Sequence, residues 1–258
     1  MSGRLTGKVA VVTGSTGGIG EGVVRRLASE GASVVVSGRR VQTGEKVAQE
    51  IGADGGVATF VRADVSTEAD CVGLIQTTLD HLGRVDVLVN NAAHFGSIPF
   101  EELTPEFWNQ VFAVNVNGPL FCSRAAIPLM RRQGGGSIVN VGTTLVYRGA
   151  GERMDRLAYA CSKGALLTMT KAMARTLLKD RIRVNWVTVG WVVTPGEIAL
   201  RNRVHGDGEV YLREVAENAP MGRLETAEET AAGVAYLASD EASHVTGCEL
   251  NISGGLWI

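Results

Sequence analysis

Tyr159 and Lys163 stand four residues apart in the second half of the chain. Two side chains at that spacing lie on one face of a helix. An ammonium group near a phenol favours the phenolate, so Lys163 is expected to lower the pKa of Tyr159 from about 10 toward neutral pH. A tyrosine tuned in this way can protonate a carbonyl oxygen during reduction or deprotonate an alcohol during oxidation. Taken alone, such a pair is more often an ordinary feature of a helix surface.

A glycine-rich turn supplies the context that such a pair needs. TGSTGGIG, residues 13–20, follows the apolar run KVAVV. Gly14 suits a tight turn, and Gly18 and Gly20 would let the backbone and a helix N-terminus approach a pyrophosphate. Three glycines are a weak signal by themselves. Their position directly after the first buried strand favours a dinucleotide-binding turn over an ordinary loop.

Strands and helices alternate along the chain. Short runs rich in β-branched residues occur at 8–14, 33–38, 57–65, 85–92, 136–142, 182–190 and 248–255, and amphipathic stretches separate most of them. This pattern predicts an α/β protein with a single doubly wound Rossmann domain over 1–258, containing about seven parallel strands with helices on both faces. Ligands in such folds bind beyond the carboxyl ends of the strands. The polar stretch 196–220 interrupts the alternation and is predicted to be a substrate lid.

Several motifs occur in a fixed order: T-G-x-x-x-G-x-G at 13–20, N-N-A-A at 90–93, Asn115, and Y-x-x-x-K at 159–163. In this order they resemble the short-chain dehydrogenase/reductase superfamily. The resemblance covers almost the whole chain, extending to Asp64-Val65, G-W-V-V-T at 190–194, P-M-G-R-L at 220–224 and V-T-G at 245–247. It implies an NAD(P)-dependent enzyme that transfers a hydride between nicotinamide and a secondary alcohol or carbonyl.

The resemblance also implies roles for individual residues. Asn115, Thr143, Tyr159 and Lys163 would be catalytic, with Asn115 positioning a water in a proton relay. Lys163 would also hold the nicotinamide ribose, Thr194 the carboxamide, and Asp64 the adenine, while Asn90 would help shape the cofactor cleft. The cofactor-binding residues implied are Gly14, Ser15, Thr16, Gly18, Ile19, Gly20, Arg39, Asp64, Val65, Asn91, Ala92, Tyr159, Lys163, Val192 and Thr194. Residues expected to face the substrate are His94, Thr143 and Trp191. Two alternatives stay open: Asn115 bonding helix backbone, and His94 as an ordinary loop residue.

The chain departs from the family pattern near the catalytic hydroxyl. Thr143 stands where the family usually has Ser, Val189 where it usually has Pro, and Ser253 where it often has Asp. Thr143 keeps a hydroxyl donor. Because successive residues leaving a strand point to opposite sides, only one of Thr143 and Thr144 can face the nicotinamide, and we predict Thr143. The interval to Tyr159 is longer than is typical, with GERMDR at 151–156 as the insertion, expected beside the substrate.

Cofactor choice depends on SGRR, residues 37–40. A carboxylate there would bind the ribose 2′-hydroxyl of NAD, whereas this chain offers two guanidiniums and no acid. NADP is therefore expected to be preferred, with NAD possible, and Arg39 is predicted to bind the 2′-phosphate. Gly17 stands where many NADP-preferring relatives carry a basic residue, so one of two phosphate clamps is expected to be missing. The alternative is that Arg39 and Arg40 merely solvate a helix start.

Composition limits the classes of partner that the protein is expected to bind and the cellular compartment in which it is expected. The chain has 258 residues, a formal net charge of −2 and scattered arginines, which gives no field to recruit nucleic acid or an anionic membrane. No C-x-x-C pair occurs among the four cysteines, which are expected to be buried, and no metal site is suggested. No leader pattern and no apolar run near the roughly 18 residues of a membrane span is seen, so a cytoplasmic location is expected.

The substrate is predicted from the polar residues of 151–156 and 196–220. Buried hydroxyl groups need polar partners, so these segments favour a sugar, polyol or other small hydroxylated substrate. One alternative is a 3-oxoacyl thioester (acyl carrier protein) reductase. An alternative of another class is a non-catalytic dinucleotide sensor or scaffold, supported only by the altered Ser position. A homotetramer is expected from the resemblance and from the apolar tail Leu256-Trp257-Ile258.

Overall fold

The computed structural model describes residues 3–149 and 154–257. Seven strands form one sheet: β1 (Val9–Val12), β2 (Ser33–Gly38), β3 (Val57–Arg62), β4 (Val87–Asn90), β5 (Gly136–Val141), β6 (Ile182–Thr188) and β7 (Glu249–Asn251). Their order is β3-β2-β1-β4-β5-β6-β7, and neighbouring strands pair in parallel. The predicted doubly wound sheet of seven parallel strands is confirmed.

Helices cover both faces of the sheet. They are α1 (Gly18–Ser29), α2 (Val41–Ala53), α3 (Glu68–Leu82), α4 (Pro105–Phe112), α5 (Gly118–Gln133), α6 (Leu145–Arg148), α7 (Leu157–Thr176), α8 (Pro195–His205), α9 (Gly208–Glu217) and α10 (Ala227–Ala238). Side chains of α1, α2 and α10 form one core, and those of α3, α5 and α7 form the other. In β1, Ala10 and Val12 enter the first core and Val11 enters the second. Burial on both faces explains why the strands are almost continuously apolar.

The strand order reverses between β1 and β4, which opens a crevice at their carboxyl ends. Thr13, after β1, holds the crevice together because its Oγ1 accepts hydrogen bonds of 3.1 Å from the backbone N–H groups of Asn91 and Ala92. Gly14 has a φ of +64°, and a Cβ there would lie 2.7 Å from the Cα of Ala92. Glycine is therefore required where the two strand ends meet.

The stretch 196–220, predicted to be a lid, consists largely of the helical pair α8 and α9. Glu197 and Arg201 form an ion pair with only 16% of each side chain exposed. The Arg201 guanidinium lies over the rings of Trp191 and Tyr211, at 5.0 and 5.4 Å from their centroids. These two charged side chains therefore pack inward. Residues 151–153 of the insertion lie outside the described residues.

The cysteines only partly follow the prediction of burial. Cys71 and Cys122 are buried between α3 and α5, and Cys248 is partly buried. Cys161 is exposed, so the prediction is wrong for that residue, because it lies on the solvent face of α7. Within 3–149 and 154–257, no helix is both long and apolar enough to cross a membrane.

Candidate active site

Helix α7 carries Tyr159 and Lys163 on one face, at the carboxyl end of β5. The Lys163 ammonium lies 5.9 Å from the centroid of the Tyr159 ring. Its Nζ donates a 2.7 Å hydrogen bond to the carbonyl oxygen of Val141, the last residue of β5. Only 2% of Lys163 is exposed. The lysine is thus anchored to the strand end and held beneath the phenol.

The two side chains have shifted pKa values. Burial raises the pKa of Tyr159 to about 12, outweighing the Arg156 charge and a hydrogen bond with Thr143, both of which lower it. Burial also lowers the pKa of Lys163 to about 8. The expectation that Lys163 brings the pKa of Tyr159 toward neutrality is wrong for this structure, because removal of the phenol from water dominates. The groups that favour the phenolate are Arg156 and Thr143.

Thr143 and Thr144 are both buried, and Thr143 is the one that acts on Tyr159, because its hydroxyl lowers the pKa of the phenol. The Thr143 Oγ1 also accepts a 3.3 Å hydrogen bond from the backbone of Leu145. The Thr144 backbone N–H donates to the carbonyl oxygen of Val189 at 3.1 Å. The structure therefore brings Thr143, Tyr159 and Lys163 together.

Asn115 is fully buried in a π-helical turn, Ala113–Asn117, between α4 and α5. Its Oδ1 accepts from the His94 backbone N–H at 2.7 Å, and its Nδ2 donates to the His94 carbonyl oxygen at 3.0 Å. The same Nδ2 donates to Ser162 Oγ on α7 at 2.9 Å. Asn115 thus ties the loop after β4 to the catalytic helix. The alternative of a bond to helix backbone is wrong, because its backbone partner is in a loop.

His94 lies near the mouth of the site, half-buried. Its Nδ1 accepts a 3.3 Å hydrogen bond from the Gly96 backbone, and its ring packs edge-on against Phe107 at 5.5 Å. These contacts fix the ring and leave Nε2 as its remaining polar atom. These contacts are compatible with both roles considered for His94, a contact to the substrate and an ordinary loop residue.

Two residues at the end of the insertion fasten it to the loop after β4. Asp155 accepts a hydrogen bond from Ser97 Oγ at 2.8 Å, and its carbonyl oxygen accepts one from the Ile98 backbone at 3.0 Å. Arg156 Nη1 donates to the Phe95 carbonyl oxygen at 2.7 Å. The charge of Arg156 thereby comes close enough to act on Tyr159. The insertion that contains Arg156 was expected beside the substrate, but an action of Arg156 on Tyr159 was not predicted, although the spacing of three residues places the two one helical turn apart.

The glycine-rich turn fits the pyrophosphate of a dinucleotide. Gly18 has a φ of +59°, and a Cβ on Gly20 would lie 2.4 Å from the Gly14 carbonyl oxygen. Gly17, the N-cap of α1, has no side chain to cap the first N–H groups of the helix, which suits an anion. A Cβ on Gly18 would lie 3.6 Å from Thr194 Cγ2, so the segment 190–194 faces the turn across the crevice.

Some residues predicted to bind the cofactor form the walls of the crevice instead of its open surface. Ser15 Oγ bridges β1 and β2 by donating to Val12 and accepting from Ser37. Asn91 Nδ2 donates to the carbonyl oxygens of Thr13 and Gly14 at 3.0 and 3.1 Å. Ile19 and Val65 also belong to the walls: Ile19 packs against the first core, and Val65 is buried against Gly118. Asn90 Nδ2 donates a 2.8 Å hydrogen bond to Asn140 and so joins β4 to β5.

Arg39 and Arg40 occupy different places. Arg39 is 73% exposed on its side chain and lies 3.8 Å from Asp64, whose pKa is lowered despite partial burial by hydrogen bonds from Ser66 and by nearby arginines. Arg40 Nη2 donates to the carbonyl oxygen of Thr16 at 2.9 Å and to its Oγ1 at 3.1 Å. A Cβ on Gly17 would lie 2.7 Å from that Nη2. The structure therefore brings Arg40 against the glycine-rich turn.

The segment 190–194 joins β6 to the lid helices. Thr194 is the N-cap of α8, with its Oγ1 accepting from the Glu197 backbone at 3.1 Å. The Trp191 Nε1 donates to Glu197 Oε1 at 2.9 Å. Val192 is buried and pairs in parallel with Glu225, a buried residue that the sequence analysis did not consider. No sequence pattern marked Glu225, because its partners are distant along the chain.

Fold and site together define a dinucleotide-dependent oxidoreductase whose candidate active site contains a Tyr–Lys pair. Residues 14–257 match the family described as Enoyl-(Acyl carrier protein) reductase. The chain is 38% identical to the NADP-dependent (R)-specific alcohol dehydrogenase of Lentilactobacillus kefiri, over 99% of this chain and 98% of that one. It is 36% identical to the L-fucose dehydrogenase of Oryctolagus cuniculus, over 98% and 86% of the two chains.

A solved structure shares the fold throughout. The crystal structure of a putative NAD(P) dependent gluconate 5-dehydrogenase from Beutenbergia cavernae, with bound NADP, superposes with a TM-score of 0.87 at 34% identity, covering 97% of both chains. The chain belongs to the short-chain dehydrogenase/reductase superfamily. It is an NAD(P)-dependent oxidoreductase that acts on CH–OH and C=O groups.

Proposed function

We propose that the enzyme interconverts a small hydroxylated substrate, such as a sugar, a polyol or a related acid, with its carbonyl form, and that it prefers NADP. The observation that carries the chemistry is the meeting of Thr143, Tyr159 and Lys163 at the end of β5. The charge of Arg156 acts on Tyr159 at that point, so a polar side chain is available there for a hydroxylated substrate. The likeness to an L-fucose dehydrogenase and to a putative gluconate 5-dehydrogenase supports a hydroxylated substrate.

Each catalytic residue would have a separate task. The Tyr159 hydroxyl donates a proton to the carbonyl oxygen during reduction, or accepts one during oxidation. The Thr143 hydroxyl donates a hydrogen bond to the same oxygen as negative charge develops there. Bound NADP or NAD supplies or accepts the hydride. Lys163 holds the nicotinamide ribose and keeps positive charge under the phenol, and Asn115 fixes the loop carrying His94 to the catalytic helix.

The proton relay proposed for Asn115 has a geometric constraint. Both hydrogens of its carboxamide have partners, His94 and Ser162. A relay water would therefore bind to an oxygen of Asn115. In the relay, Asn115 would accept a hydrogen bond from the water, while its carboxamide holds the loop after β4 against α7.

The preference for NADP rests on two guanidiniums beside the glycine-rich turn. Arg40 fills the space next to Gly17, where a basic side chain at position 17 would otherwise lie. Arg40 therefore takes the place of the basic residue that many NADP-preferring relatives carry at position 17, and it supplies a cation for the 2′-phosphate. Arg39, exposed and close to Asp64, supplies the second cation.

The two alternative functions, a thioester reductase and a non-catalytic sensor, would require different features of the site. A thioester reductase is supported by the match to the family described as Enoyl-(Acyl carrier protein) reductase, and it would need an open channel for a long acyl carrier. The inward-packed lid cluster of Trp191, Glu197, Arg201 and Tyr211 favours a small substrate instead. A sensor without turnover would have no need for the contact between Thr143 and Tyr159.

The test is an absorbance assay at the nicotinamide band with both cofactors and three substrate sets. These are sugars and polyols, their aldonic acids, and 3-oxoacyl thioesters. We expect turnover with the first two sets and higher kcat/KM with NADP. Turnover with thioesters alone would replace the proposed substrate class, and tight dinucleotide binding without turnover on any set would favour the sensor.

We also propose a cytoplasmic homotetramer. The tail contributes less to this than expected, since Trp257 is stacked on Tyr147 of the same chain at 3.6 Å. Light scattering at micromolar concentration tests the proposal, and a monomeric mass would contradict it.

A further inference from the structure

Glu225 makes hydrogen bonds to three residues of the segment 190–194: Gly190, Trp191 and Val193. Its Oε2 accepts a 2.8 Å hydrogen bond from the Gly190 backbone N–H. Its own backbone N–H donates to the Trp191 carbonyl oxygen at 3.0 Å, and its carbonyl oxygen accepts from the Val193 backbone at 2.9 Å. One buried residue therefore bonds two N–H groups and one carbonyl oxygen of the segment, between Gly190 and Val193.

The base that holds Glu225 is rigid. Its second carboxylate oxygen accepts from the Thr230 hydroxyl, on the first turn of α10. The next residue, Thr226, is the N-cap of α10 in a capping box with Glu229. Helix α10 packs on the core shared by α1 and α2. Because the Glu225 carboxylate bonds both α10 and Gly190, the position of α10 determines where the segment 190–194 lies at the crevice.

The segment has little freedom elsewhere. A Cβ on Gly190 would lie 2.9 Å from the carbonyl oxygen of Ser253 and 3.0 Å from Leu256, so the backbone is pressed against the chain after β7. At its other end, Trp191 is bonded to Glu197 and Thr194 caps α8. The carboxylate of Glu225 is the side chain that fixes the start of this segment, before the lid begins.

We propose that Glu225 is a positioning residue for the nicotinamide half of the cofactor: it sets the place of Thr194 and Trp191 by holding the segment that carries them. The inference rests on the proposed function, in which Thr194 contacts the nicotinamide carboxamide and Trp191 faces the substrate. Glu225 itself touches neither. Its removal should therefore loosen the nicotinamide end of the crevice and leave the adenosine end, beside Arg40, unchanged.

The experiment compares two probes by fluorescence or calorimetric titration. NADPH spans the whole crevice, whereas adenosine 2′,5′-bisphosphate occupies only the adenosine end. Loss of charge-assisted hydrogen bonds in Glu225→Ala should weaken NADPH binding about tenfold or more and leave the bisphosphate within about twofold. Glu225→Gln, whose amide oxygen can still accept from Gly190 while its NH2 donates to Thr230, should restore NADPH binding to within about threefold.

Two further variants separate positioning from stability. Ile75→Val removes one buried methyl group from α3, in the other core and away from 190–194, so it should lower the melting temperature and leave NADPH affinity unchanged. Glu225→Asp keeps the charge but withdraws it from Gly190, so it should reproduce the selective loss if Glu225→Ala does not fold. Hydrogen exchange should be faster over residues 190–194 in both Glu225→Ala and Glu225→Asp.

Equal weakening of both probes, or weakening of neither, in folded Glu225→Ala or Glu225→Asp would overturn the proposal. So would unchanged exchange over 190–194. If the unmodified enzyme failed to bind NADPH, the proposed function would fail instead, and the exchange measurement would still decide whether Glu225 holds the segment.

Discussion

The guanidinium of Arg40 occupies the space that a side chain on Gly17 would fill, with Nη2 bonded to the carbonyl oxygen of Thr16 at 2.9 Å. A cation is thus already in place on the rim of the glycine-rich turn. Gly17 and Arg40 complement each other: the absent side chain at one position makes room for the long one at the other.

Replacing Arg40 should therefore change cofactor choice. Arg40→Ala should lower kcat/KM with NADP about tenfold or more, the effect of one charge-assisted contact, and change the value with NAD by less than about threefold. Arg39→Asp should reverse the preference, because a carboxylate repels the 2′-phosphate. Steady-state kinetics with both cofactors provide the measurement. An equal fall with NAD and NADP in Arg40→Ala would mean that Arg40 only shapes the turn.

Substitutions at the two threonines test the catalytic hydroxyl. Thr143→Ala should lower kcat by about two to three orders of magnitude with cofactor affinity nearly unchanged, because one donor to the developing oxyanion is lost. Thr143→Ser should stay active, Thr144→Ala should remain within several-fold, and Tyr159→Phe should abolish turnover. If Thr143→Ala were fully active and Thr144→Ala inactive, the catalytic hydroxyl would be that of Thr144 and the prediction would be wrong.

The charge of Arg156 should set the pH dependence of alcohol oxidation. Oxidation needs the phenolate of Tyr159, and Arg156 lowers the pKa of that phenol. Arg156→Gln should raise this pKa, so the rising limb of the kcat/KM profile should move to higher pH and the rate below it should fall. Arg148→Gln, which removes the same charge from an exposed site, should leave the limb in place. Identical profiles for Arg156→Gln and the unmodified enzyme would show that Arg156 has no electrostatic role.

Gly142, directly before Thr143, should tolerate no side chain. A Cβ there would lie 1.9 Å from the Trp186 ring, which is fully buried and bonded through Nε1 to Thr188. Gly142→Ala should destabilise the fold by about 1–3 kcal/mol or more through overpacking. In contrast, a Cβ on Gly52 in α2 meets no atom within 4 Å, so Gly52→Ala should be neutral or slightly stabilising. Urea unfolding measures both, and equal stabilities would contradict the prediction.

The order of the strands and helices and the class of chemistry follow from patterns that are local in the sequence. Strand positions from β1 to β7, the glycine-rich turn and the Tyr159–Lys163 face could be predicted, because each depends on residues close together in the chain. Burial on both faces made the strands almost wholly apolar, and four-residue spacing placed two side chains on one helix face.

Which distant groups act on one another at the site depends on the folded chain. Arg40 reaches Gly17, Arg156 reaches Phe95, and Glu225 reaches Gly190, across separations that no local period encodes. The pKa of Tyr159 was likewise expected to fall because of Lys163, yet it rises to about 12, because desolvation depends on every atom packed around the hydroxyl. Spacing along the chain can specify neighbours on a helix, but burial and long-range contacts exist only once the sheet has brought its strand ends together.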